Sequence, residues 1–159
     1  MNYEPSNKRQ RLLEELTLAI REEMRLAIAW NDTAATFAGI YPTDAVILFF
    51  LYDNRSATAR EVGDVAGLTT GATTAALIRL ESSGFISRER DPNDKRRVII
   101  RAKQLPKQFQ TIRSLSETKL QNILKDTSDV AIQDLITHRE QVNMMLTHTI
   151  KELAVIPSA

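Results

Sequence analysis

The spacing of apolar and polar positions divides the chain into long helical stretches at both ends and a short mixed segment between them. From Lys8 to about Trp30, residues such as Leu12, Leu13, Leu16, Ile20, Met24 and Ile28 recur at intervals of three and four, which predicts an amphipathic helix. Leu18 and Leu26 widen its apolar surface beyond one stripe, so the helix needs cover from outside its own fold and reads as one half of a dimer interface. Asn31 to Tyr41 reads as a connection with a short helix around Thr33 to Phe37. Thr43 then caps a helix from Asp44 to about Tyr52, with Asp44 favourably placed in its first turn. Six consecutive apolar residues, Val46 to Leu51, would also suit a buried strand, but the Pro-Thr-Asp start favours a central helix. Beyond residue 103, Pro106 suits the first turn of a helix to about Lys125, with Phe109, Ile112, Leu115, Ile123 and Leu124 on its inner face. Asp126 to Asp129 breaks the pattern, and a last helix runs from Asp129 to about Val155. Long helices at both ends of a central segment are the arrangement expected of a two-fold dimer with interleaved termini.

The central segment carries denser local signals. Thr58-Ala59-Arg60-Glu61 is a capping box, in which the Thr side chain caps forward and the Glu reaches back. It opens a short helix to Ala66, and Gly67 closes it. Thr69 caps a second helix that extends to about Ser82, followed by Gly84. Helix, short glycine-containing turn and helix form a helix-turn-helix. In the second helix Ala72, Ala76, Leu77 and Leu80, with Thr73, are expected to face inward. Thr70, Gly71, Thr74, Ala75 and Ile78 then face outward, and most are small enough to let a backbone approach base edges or phosphates.

A hairpin follows at once. Phe85, Ser87 and Glu89 alternate with Ile86, Arg88 and Arg90, and the return strand is Arg97 to Arg101. Ser56-Ala57 is a candidate third strand beside it. The connection Asp91-Pro92-Asn93-Asp94-Lys95-Arg96 is rich in turn formers. From Arg88 to Lys103 there are seven basic residues against three acidic ones. A recognition helix with an adjoining basic ribbon is the reading apparatus of a winged helix-turn-helix, the helix in the major groove and the ribbon beside it.

The stretch Leu80 to Arg97, which reads L-E-x-x-G-F-I-x-R-x-x-D-P-x-D-x-R-R, resembles the recognition helix and wing of the MarR family of bacterial transcription regulators. Asp91 to Arg97 is its most specific part, and the likeness extends more loosely from about residue 8 to 155. The chain departs from the family at Asn93, where Arg is frequent, at Ala102-Lys103, where Leu-Thr is common, and at Ala75 and Ile78, where charge is frequent. The resemblance implies a homodimer on a palindromic double-stranded DNA operator, with Arg96 entering the minor groove and Asp94 holding the wing. It also implies a small aromatic or anionic effector bound near the dimer helices. Trp30, Phe37, Tyr41 and Phe49 are the candidate wall of that pocket, although plain core packing is the more ordinary account of such a cluster.

The residues then take these expected roles. Arg96, Lys95 and Arg97 contact DNA from the wing, with Arg88 and Arg90 behind them. Thr70, Gly71, Thr74 and Ala75 meet the major groove, and Thr69 and Arg79 meet phosphates or stabilise the helix. The expected fold is mainly α with a small β wing: one domain over residues 1–159, the winged segment about 43–103, and dimerisation helices about 8–30 and 104–155.

Composition narrows the function. The 159 residues are ordinary for one soluble domain, with net charge +1 and no cysteine, which excludes a disulfide framework, thiolate metal sites and a thiol sensor. Residues 55–103 hold ten Lys/Arg against six Asp/Glu, a local basic face on a near-neutral chain. No apolar run reaches the roughly 18–20 residues that span a membrane, and the start is polar; both point to the cytoplasm. The two histidines, His138 and His148, lie about 15 Å apart along one helix, too far to share a metal unaided. Phosphate-binding loops, HExxH and nucleophile-elbow motifs are absent, so neither an enzyme nor a cofactor is expected. The competing function is a winged-helix module for protein–protein assembly without a DNA target, with Ile78 as the residue that points that way.

Overall fold

The chain is described here by a computed structural model that covers residues 7–91, 97–103 and 107–156. Helix α1 runs from Asn7 to Ala38, eight residues beyond the expected end at Trp30. The polar groups that suggest a break are satisfied within the helix or just beyond it. Thr33 Oγ1 donates to the Ala29 carbonyl and Thr36 Oγ1 to that of Asp32, each at 2.8 Å, and Asn31 Nδ2 donates to the Pro42 carbonyl at 3.2 Å. Ala34 and Ala35 are buried, so the segment is helical because its apolar side has something to pack on.

Helix α2 spans Pro42–Asn54. Its N-cap is Tyr41, not Thr43, because Pro42 occupies the first turn, where its missing N–H costs nothing. Ile47, Leu48 and Leu51 are buried, which makes α2 the central helix. Arg55, with φ of 64°, turns the chain into strand β1, Ser56–Thr58. Helix α3 (Ala59–Ala66), helix α4 (Thr70–Ser82), strand β2 (Ile86–Arg90) and strand β3 (Val98–Ala102) follow. The sheet is antiparallel in the order β1-β3-β2, with Ala57 opposite Ile100 and Arg88 also opposite Ile100. The short third strand is present, and the return strand lies one residue later than expected. Val62 of α3, Ala76, Leu77 and Leu80 of α4, Ile86 and Ile100 close the core around α2.

Helix α5 spans Lys107–Leu124, and Phe109 and Ile112 at its start are buried. Phe109 packs on Phe49, with ring centroids 5.0 Å apart. Pro106 falls outside the described residues. Chain packing gives two compact units, residues 1–112 and 113–159. The second holds the rest of α5 and helix α6, Asp129–Leu153, capped by Ser128 Oγ, which accepts from the Ala131 N–H at 3.3 Å. No residue of α6 is buried, and Leu115 and Ile123, expected on the inner face of α5, are exposed. No single helix among the described residues is long and apolar enough to cross a membrane.

Candidate nucleic-acid interface

The helix-turn-helix is built from local hydrogen bonds. At the start of α3, Thr58 Oγ1 accepts from the Glu61 N–H at 3.3 Å, and the Thr58 N–H donates to Glu61 Oε2 at 2.7 Å. The bonds that the Thr58 N–H and the Thr58 hydroxyl each donate to Glu61 Oε2 hold its carboxyl below the usual carboxylate range, with a smaller contribution from the charge of Arg97. Gly67 ends α3 in the left-handed region, and the Leu68 N–H closes the turn on the Gly63 carbonyl at 2.9 Å. Thr69 then caps α4, its Oγ1 accepting from the Ala72 N–H at 3.4 Å. The two helices cross closely at Gly63, where an added Cβ would lie 2.7 Å from Thr73 Oγ1. Thr73 is buried, and its hydroxyl donates to the Thr69 carbonyl at 2.9 Å.

Burial fixes the rotation of α4. Thr73, Ala76, Leu77 and Leu80 face the core. Thr70, Gly71, Thr74, Ala75 and Ile78 are exposed. Ala72 is exposed as well, a correction to its expected inward position: one turn from the helix start it lies beside the core stripe rather than in it.

Arg79 has partners inside the fold. Its Nε donates to Asp44 Oδ2 at 3.1 Å and its Nη2 to Oδ1 at 2.7 Å. The guanidinium also lies over the Tyr41 ring, 4.7 Å from the centroid. The Asp44 side chain is 4% exposed and that of Arg79 41%, so one end of the bidentate pair is buried and the other reaches solvent. The bond to Asp44 raises the pKa of Arg79 above its ordinary value, so the guanidinium stays charged. Sequence reasoning missed this pair. The partners are 35 residues apart, and Asp44 at a helix start has a sufficient local explanation as a dipole partner.

In the wing, Arg88 Nε lies 3.0 Å from Glu81 Oε2, an ion pair by distance without the alignment of a hydrogen bond. Glu89 Oε2 accepts from Arg101 Nε at 3.0 Å, and Ser87 Oγ donates to Glu89 Oε1 at 3.3 Å. The hairpin narrows where the Asp91 N–H donates to the Arg97 carbonyl at 3.0 Å. Arg90 and Arg97 are both exposed there. Asp94, Lys95 and Arg96 lie outside the described residues.

The four aromatic pocket candidates lie around the end of α1 and the start and middle of α2. Trp30 stacks on Phe49 with centroids 5.3 Å apart, continuing to Phe109. Tyr41 instead lines a cleft of about 360 Å³ with Gly39, Ile40, Asp44, Arg79 and Phe85, and neither Trp30, Phe37 nor Phe49 is part of that lining. Phe37 is exposed. His138 and His148 both lie on α6, where His148 Nε2 is 3.2 Å from Glu152 Oε1. Among the described residues no three His, Cys, Asp or Glu side chains gather as a metal site.

Capped helix, glycine turn, capped helix and a three-stranded wing define a winged helix-turn-helix protein. The sequence profile of the MarR family matches residues 40–98, which run from just before α2 to the first residue of β3. YcgE of Bacillus subtilis, described as an uncharacterized HTH-type transcriptional regulator, is 37% identical over 94 residues, which are 59% of this chain and 61% of YcgE. YkoM of the same organism, described in the same words, is 37% identical over 60 residues, 38% of this chain and 39% of YkoM. The chain thus spans less than two thirds of the length of these relatives. A MarR family protein from Bacillus stearothermophilus has the same fold at 25% identity and a TM-score of 0.61, covering 87% of this chain and 97% of that one. The transcriptional regulator Tm0710 from Thermotoga maritima shares the fold alone, at 16% identity and a TM-score of 0.58 over 87% of this chain and 98% of that one. Residues 40–98 thus match the MarR family profile, and the chain has the fold of a MarR family protein.

Proposed function

We propose that this chain is a sequence-specific double-stranded DNA-binding transcription regulator that works as a homodimer and represses until a small effector is bound. The observation that carries the reading is the outer face of α4. It is exposed, narrow in side-chain size and set next to a hairpin whose tip end presents Arg90 and Arg97. A protein-assembly module would more often present a broad apolar patch at that place, and here Ile78 stands among small residues. The family and the names of its Bacillus subtilis relatives support the same reading.

Each protomer presents one wing and one α4 to a half-site, with half-sites about 34–36 Å apart. Thr70, Gly71, Thr74 and Ala75 meet base edges, and Thr69 meets the backbone. Arg90, Lys95, Arg96 and Arg97 approach along the wing, Arg96 in the narrow groove with Asp94 holding the loop. Arg79 and Arg88 act from behind, through Asp44 and Glu81. The dimer forms through the exposed apolar residues of α1 and α6. An aromatic or anionic effector near Trp30, Phe37, Tyr41 and Phe49 would favour dimers whose two readers no longer fit the operator.

The test is selection from a pool of genomic fragments at two salt concentrations. The expected outcome is an enriched palindrome whose affinity falls steeply as salt rises. Arg96→Ala should weaken binding to it by about tenfold or more while leaving the melting temperature unchanged. Uniform weak binding with no enriched sequence, or full operator affinity in Arg96→Ala, would overturn the reading.

A further inference from the structure

The outer face of α4 lacks the usual equipment for reading bases, and what it offers instead narrows what it can read; this rests on the DNA-binding function proposed above. From Thr69 to Ile78 the helix has no charged and no amide side chain. The bidentate pairings of Arg or Lys with guanine, and of Asn or Gln with adenine, are therefore closed to these residues. The next residue, Arg79, is held by both oxygens of Asp44 and covered by the Tyr41 ring.

The hydroxyls are also committed. Thr74 Oγ1 donates its proton to the Thr70 carbonyl at 2.9 Å, so toward a base it can only accept. Thr69 Oγ1 accepts from the Ala72 N–H. Thr70 stands at the first helical position, where the unpaired N–H groups of the first turn suit a phosphate oxygen and its own hydroxyl reaches only the groove edge beside it.

What remains is methyl surface. Ile78 lies four residues after Thr74 and three after Ala75, so the three share one side of the helix. Ile78 is 52% exposed. The major-groove edge of DNA carries one apolar group, the 5-methyl of thymine. We infer that α4 selects its operator by apolar contact of Thr74, Ala75 and Ile78 with thymine methyls, rather than by hydrogen bonds to guanine or adenine.

The test uses the intact dimer and the operator recovered by selection. Each thymine is replaced in turn by deoxyuridine, which removes the methyl and keeps O4 and the base pairing. At one or two thymines in each half-site, affinity should fall about fourfold per methyl, and about sixteenfold when both half-sites carry the change. Replacing guanines in the same window by 7-deazaguanine, which removes the N7 acceptor, should leave affinity unchanged. Ile78→Ala should bind more weakly and should no longer distinguish thymine from uracil at the affected position. A variant whose helix were merely disturbed would lose affinity for both operators equally. The inference is overturned if uracil is tolerated at every position, or if the 7-deazaguanine loss exceeds the uracil loss. Because the scan is done on the unaltered protein, poor folding of Ile78→Ala cannot obscure the answer. Recovery of an operator indifferent to uracil removes this inference alone; recovery of no operator removes the DNA-binding reading with it.

Discussion

Two parts of this chain solve the problem of burial in opposite ways. Between α2 and β3, the apolar side chains of each element meet those of the next. Ile47, Leu48, Leu51, Val62, Leu80, Ile86 and Ile100 are all buried. On α6 no residue is buried, and on α1 the only buried ones are Ala34 and Ala35, at its C-terminal end. Yet both helices are as rich in leucine, isoleucine and methionine as a core helix: Leu16, Met24 and Ile28 on α1, and Leu135, Ile136 and Ile150 on α6, are all exposed. A winged head that packs on itself keeps its geometry whatever its surroundings. Helices that leave apolar faces uncovered depend on something else to cover them, so their arrangement can respond to assembly or to an effector.

The sharpest way to break this contrast is to charge the uncovered faces. Leu16→Glu combined with Ile136→Glu should leave the head folded and dissociate the proposed dimer. Each two-fold interface would then bury four unpaired carboxylates, and the dimer Kd should rise by about a hundredfold or more. Sedimentation velocity reads the loss of dimer directly, and operator affinity should fall with it. An unchanged sedimentation coefficient would mean that these faces do not join protomers.

The contrast also explains what could be read from the sequence. The head was legible because its signals are local: the Thr58–Glu61 box, Gly67 and the Thr69 cap each act within four residues. The structure departs from the sequence pattern where a local signal is outweighed by packing or by a neighbour. Asn31 to Thr36 has the composition of a loop, but its hydroxyls bond back to the helix and Ala34 and Ala35 find cover. Thr43 resembles a cap, but Pro42 begins the helix earlier. The inner face expected for α5 shrinks to Phe109 and Ile112, because periodicity tells which residues share a side and not whether anything lies against it. The Asp44–Arg79 pair was invisible because only the fold brings α2 and α4 together. The wing tip, by contrast, could be named only through the MarR resemblance.

That pair gives a second, smaller test, within the head itself. Arg79→Ala leaves the Asp44 carboxylate buried without a counter-charge, whereas Asp44→Ala leaves a guanidinium that already reaches water. Arg79→Ala should therefore cost about 3 kcal/mol and Asp44→Ala about half as much. Urea denaturation of the two variants measures the asymmetry. The comparison also separates two roles for Arg79. If it contacts phosphate directly, Asp44→Ala should preserve the salt dependence of operator binding and Arg79→Ala should reduce its slope by about one. If it acts only by fixing the rotation of α4, the two variants should lose affinity in proportion to lost stability, with the salt slope unchanged.

The smallest effect belongs to the capping box, where the head meets solvent. Glu61 accepts from the Thr58 N–H, and its folded pKa lies below the usual carboxylate range. The unfolded chain thus binds the proton more tightly than the folded one, and stability rises with pH across this interval. The contribution of the box is complete above the ordinary carboxylate pKa and is lost as pH falls through the depressed folded value. Glu61→Gln should flatten that part of the stability profile, and Thr58→Ala should lower stability by about 1 kcal/mol at neutral pH. Because Arg97 beside the wing loop adds to the depression, Arg97→Ala should move the acid transition slightly upward. Hydrogen exchange at the Glu61 amide should follow the same titration, since that N–H is held by Thr58 Oγ1 only while the box is closed. An acid profile unchanged in Glu61→Gln would show that the start of α3 is held by its packing on α2 and not by its cap.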